Sequence, residues 1–179
     1  MIFQIDNSYN FFNFMNTGQY IAVIGGLDRS SWLLSNVEVV RISDEGVVSP
    51  SNCKLPELQV QDAAVSNNMI CGGIYGIYTY IYPNTTNQCN ELNPESLKWE
   101  ERSQMNIKRY HHAMVTATNK TRYVCGGLDE SYRQLKSCEK YDGEWSYIKD
   151  LPTSQYGHCM VRIEDFIYSI GGINGSVSD

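Results

Sequence analysis

Double glycines recur four times in this chain of 179 residues, at Gly25-Gly26, Gly72-Gly73, Gly126-Gly127 and Gly171-Gly172. The pairs lie 47, 54 and 45 residues apart. Each follows an apolar, β-branched or aromatic run, as in "YIAVIGG", "NNMICGG", "RYVCGG" and "FIYSIGG". Such runs read as buried strands. A fixed period of this length means one supersecondary unit, stacked on copies of itself.

Other features keep step with the glycines. A short strand follows each of the first three pairs: "NVEVV" from Asn36, "QCNEL" from Gln88 and "SCEKY" from Ser137. Trp99 and Trp145 come next, with Ser49 in that slot of the first unit. Leu55, Met105 and Leu151 then open the following unit, and "DAAV", "HHAMV" and "GHCMV" read as its first strand. Pro56, Asn93-Pro94, Asp142-Gly143 and Pro152 mark the joints. No stretch carries a helical period. Four short strands per unit, repeated, predict an all-β fold of β-propeller blades.

The units resemble kelch repeats: strand, double glycine, a (V/C)-E-x-Y-like strand, Trp, then Leu-Pro. "NPESLKW" (93–99) and "SCEKYDGEW" (137–145) carry the likeness most closely. The resemblance implies a kelch-type propeller with blades at about 9–49, 60–100, 110–147 and 156–179, the last partial. That amounts to about three and a half blades, so the chain reads as an incomplete propeller or a piece of a longer one.

Cysteine follows the same register. The residue before the double glycine is Ile24, Cys71 or Cys125, and the facing slot on the next strand is Val37, Cys89 or Cys138. Blade one is aliphatic in both slots, and blades two and three have Cys in both. Neighbouring strands bring such residues within disulfide reach, which predicts Cys71–Cys89 and Cys125–Cys138. The alternative is four buried thiols acting as small hydrophobes. A zinc site is disfavoured, because the close C-x-x-C spacing is missing. Cys53 lacks an evident partner, and Cys159 reads as a packing residue.

Paired Cys imply an oxidising compartment. Sequons at Asn84, Asn119 and Asn174 point the same way, as glycosylation acceptors in exposed turns. The "CGG … SC" form is similar to that of extracellular kelch proteins of animals. The N-terminus "MIFQIDNSYNFFNF" lacks the basic region of a signal peptide, so secretion requires a start further upstream. The alternative location is the cytoplasm.

The net charge of −6, without a basic stripe, argues against nucleic acid and against adhesion to anionic membrane. Apolar runs of four or five residues cannot cross a bilayer, which needs roughly 20. There is no nucleophile elbow, phosphate loop or HExxH, so neither catalytic residues nor a cofactor or metal are expected.

The function implied is binding of a protein partner at a propeller rim. One candidate loop set contains Arg109, Tyr110, His111, Gln155 and Tyr156, with Gln59 in the slot of Arg109 and Gln155. In related kelch domains the Arg slot is expected to meet acidic ligands. A second set follows the double glycines and offers Tyr78, Tyr132 and Arg133. Exposed Tyr and Arg are common interface anchors. His112 and His158 share one slot and read as framework. The family also supplies intracellular adaptors, which present substrates to a ubiquitin ligase or bind actin. More remotely, it shares its fold with the copper enzyme galactose oxidase.

Overall fold

The structure, a computed structural model, describes four strands within residues 13–50 and then residues 57–75, 83–93 and 95–174. The side chain of Ile24 is the one described in the first of these regions. Tyr78, Cys53 and the first double glycine lie outside the described residues.

The strands form consecutive antiparallel sheets, each in simple chain order. Blade one comprises β1 (Asn13–Asn16), β2 (Tyr20–Ile24), β3 (Val37–Ile42) and β4 (Val48–Pro50). Blade two comprises β5 (Ala64–Ser66), β6 (Met69–Cys71), β7 (Cys89–Asn93) and β8 (Lys98–Arg102). Blade three comprises β9 (Ala113–Thr116), β10 (Arg122–Cys125), β11 (Cys138–Tyr141) and β12 (Trp145–Ile148). Then β13 (Tyr156–Ile163) and β14 (Phe166–Ile173) form a two-stranded sheet. Among the described residues there is no helix.

First strands touch first strands of the neighbouring blade: β1 meets β5, β5 meets β9, and β9 meets β13. They are therefore innermost, and the fourth strands lie outermost. Apolar side chains fill the seams between blades rather than one central core. The seam between blades two and three holds Met69, Cys71, Cys89, Met105, Met114, Val124, Tyr141 and Trp145. The Trp145 indole N–H reaches across to the Ser103 carbonyl at 2.8 Å, satisfying its one polar atom. Ile24, Val60, Ile70 and Leu92, with Trp99 against them, fill the preceding seam, and Ala113, Val115, Cys125, Cys138 and Met160 the following one.

Both expected disulfides are present. Cys71 pairs with Cys89 and Cys125 with Cys138, each directly opposite in register with 4.2 Å between Cα atoms. In blade one the same register places Ile24 opposite Val37. Cys159, expected as a packing residue, is a free thiol, exposed on the two-stranded sheet.

The double glycine is required by close approach. A Cβ on Gly126 (φ +67°) would stand 2.5 Å from the Gln155 carbonyl oxygen and 2.7 Å from His158 Cε1. Gly171 has nearly the same backbone (φ +72°) and nothing within 4 Å. Gly171→Ala is therefore expected to cost about 1 kcal/mol for its left-handed backbone alone. Gly126→Ala adds an overpacking cost of roughly 1–3 kcal/mol against rigid backbone. Urea titration of the two variants checks this; equal losses would show that crowding is not what the glycine relieves.

Candidate functional site: the axial mouth and its loops

Asp62, His111 and Gly157 stand in equivalent places, just before the inner edge of their blades. All three have left-handed backbones, with φ of 53°, 52° and 65°. The turn aims each N–H at the preceding blade: His111 N–H donates to the Asp62 carbonyl (3.0 Å) and Gly157 N–H to the His111 carbonyl (2.8 Å). Backbone hydrogen bonds thus step from blade to blade at one end of the axis.

Arg109 does not belong to this surface, and the expectation that it contacts a partner needs correcting. Its side chain is 0% exposed. Nη1 donates to the Gly126 carbonyl (2.8 Å) and the Ser137 carbonyl (3.0 Å). Nη2 donates to Ser137 Oγ (3.2 Å) and Glu139 Oε1 (2.8 Å). Glu139, equally buried, also accepts from the Asn106 backbone N–H (2.7 Å) and side-chain amide (2.8 Å). Burial pulls the Arg109 pKa below its usual value, and Glu139 opposes that shift. The guanidinium ties the inner loop of blade three to its third strand. The structure also places Val60, not Gln59, two residues before Asp62, where Arg109 stands before His111. Blade two holds Val60 and Asn90 where blade three holds Arg109 and Glu139, whereas blade one keeps an acid, Glu38, in the slot of Glu139.

Tyr110 is also buried, 3% exposed, against Ile74, Leu128 and Tyr156. Its backbone bridges Leu128, which draws the ring inward. His111 stays partly open, with its ring 5.1 Å from that of Tyr110 and 6.2 Å from that of Tyr156. Its Nδ1 lies 3.6 Å from Oδ1 of Asp62, a residue that sequence reasoning missed. The Asp62 side chain is 6% exposed, and burial raises its pKa to about 7. Burial lowers that of His111. Gln155 and Tyr156 are half-buried, and the Gln155 amide donates to Ser169 Oγ.

His112 and His158 are buried beside the double glycines, and burial lowers the pKa of each. Among the described residues, no group of three or more His, Cys, Asp or Glu could hold a metal ion.

Tyr132 and Arg133 lie on a separate tight loop after Gly127. Asp129 organises it, accepting backbone N–H bonds from Ser131 (2.8 Å) and Arg133 (3.0 Å). Arg133 Nε also donates to Asp129 Oδ2 (2.7 Å). Partial burial opposes ionisation of Asp129, but these hydrogen bonds prevail and hold its pKa below the usual value. Tyr132 is 42% exposed and the Arg133 side chain 78%. In blade two, Tyr75, Asn84, Gln88, Gln104 and Lys108 line an open polar cleft of about 390 Å³. Asn84, Asn119 and Asn174 are exposed.

No family model matches the chain. Over 84 residues it is 33% identical to beta-scruin, and over 87 residues 29% identical to alpha-scruin, both of Limulus polyphemus. Over 92 residues it is 34% identical to Kelch-like protein 15 of Danio rerio. The solved structure of YjhT matches 92% of the chain with a TM-score of 0.68 at 15% identity. The repeats are of the kelch type. The kelch matches to the scruins span 45–47% of the chain and 9% of either relative, and the zebrafish match spans 45% and 15%. The chain also covers 58% of YjhT, a likeness that shows the propeller fold alone.

Proposed function

We propose that this kelch module is non-catalytic and binds a protein partner through the rim around Tyr132 and Arg133. The observation that carries the reading is that loop. Its aromatic ring and guanidinium are held out by a backbone that Asp129 fixes from within, so little entropy is lost when they are covered. Tyr156 and His111, partly open at the axial mouth, extend the candidate surface.

An extracellular or cell-surface setting is the location we favour. Two disulfides in buried seams support it, as do sequon asparagines in exposed positions, which we propose as glycan sites. The second reading is an intracellular adaptor, presenting substrates to a ubiquitin ligase or binding actin. Its support is the similarity to Kelch-like protein 15.

A photo-cross-linking residue at position 132 is expected to capture a defined protein in the native source. Arg133→Glu should reduce that capture at least tenfold. A cross-linker at position 147, an exposed tyrosine of the outermost strand β12, serves as control. Equal capture from both positions would remove the rim from consideration.

A further inference from the structure

We propose that the axial mouth at Asp62 and His111 receives an organic cation, the ammonium or guanidinium of a side chain that the partner inserts there. The identity of the donor as a protein rests on the function proposed above; the site itself does not.

The Asp62 carboxylate is nearly enclosed, and its one ion-pair contact among the described residues is His111 Nδ1 at 3.6 Å. That separation is too long for a hydrogen bond. Burial favours the neutral imidazole at His111, and equally at His112 and His158 nearby. The permanent cations of this loop are engaged elsewhere, Arg109 by Glu139 and Lys108 by Glu130. A buried carboxylate without a compensating charge is held back from ionising, and burial is the cause of its shift to about 7. The partly open His111 and Tyr156 rings, 6.2 Å apart, provide the aromatic surface that organic cations favour. The net charge of −6 has the same sign preference. The partner feature is thus basic, opposite to what an exposed arginine in this loop would select.

The linkage has a definite sign. A cation binds the ionised carboxylate, so affinity rises as pH rises through about 7. Between pH 6 and pH 8 the ionised fraction grows about tenfold, and affinity should follow.

The experiment titrates the full chain with n-butylammonium and n-butylguanidinium, with neutral n-butanol as control, while NMR follows the Asp62 carboxyl carbon. Binding about tenfold tighter at pH 8 than at pH 6, with the Asp62 titration midpoint moved down by the cation, is the expected result. Asp62→Asn should abolish the response, and His111→Ala should weaken binding yet keep its pH dependence. Cations that act no differently from butanol, or affinity independent of pH, would overturn the site. The wild-type titration decides this even if a variant misfolds. If the cations bind as expected and position 132 captures nothing, the site stands and the protein-partner reading fails.

Discussion

Arg109→Met is expected to lower the unfolding free energy by about 3–5 kcal/mol, enough to unfold a marginal domain near body temperature. The cause is what it leaves behind. Glu139 would remain fully buried, with the Asn106 and Ile107 donors but without its guanidinium. The Gly126 carbonyl would also lose the guanidinium as donor, and the Ser137 carbonyl would keep the Gly126 N–H. Removing both charges is different. An apolar pair of similar volume avoids the desolvation of two ions, so Arg109→Met with Glu139→Leu should recover more than half of the loss. Urea denaturation of the two single variants and the double variant measures the coupling. A single-variant loss under about 1 kcal/mol, or a double variant no better than the worse single, would show that the pair does not hold the blade together.

The second large effect belongs to the disulfides. Each closes a short loop, with sequence separations of 18 and 13, and is expected to contribute about 3 kcal/mol. Replacing Cys125 and Cys138 by alanine removes the cross-link and also leaves the seam toward β13 underfilled. In blade one the same register sets two aliphatic residues, Ile24 and Val37, opposite each other. Cys125→Ile with Cys138→Val should therefore recover the packing share and still lack the cross-link. Thermal unfolding of the three forms separates the shares. Non-reducing peptide mapping of protein from its native source supplies the companion measurement. Four free thiols there would end the extracellular reading.

The reach of sequence reasoning follows from how far apart the interacting residues lie. Cys71 and Cys89 sit on adjacent strands of one hairpin, so counting from the double glycine in successive units finds their slots. The strand order of each blade is legible for the same reason. Arg109 misled because a charged residue in an inner loop reads as exposed until its counter-ion is found, thirty residues on in β11. Tyr110 misled in the same way, its ring drawn in by a backbone bridge to Leu128. Asp62 escaped notice because its significance depends on a histidine of the next blade.

By itself, then, the sequence determined the repeating unit, the all-β blades, the apolar seams and both disulfides. These rest on periodicities of two residues within a strand and some fifty between blades, and local sterics enforce them. Only the tertiary structure decided which polar groups are enclosed. The inner loop of blade three turns the Arg109 side chain onto Glu139 within that blade, and the step from blade two to blade three sets Asp62 against His111. Burial then changes what each group does: it makes the arginine a strut, and it leaves the carboxylate of Asp62 poised near neutrality.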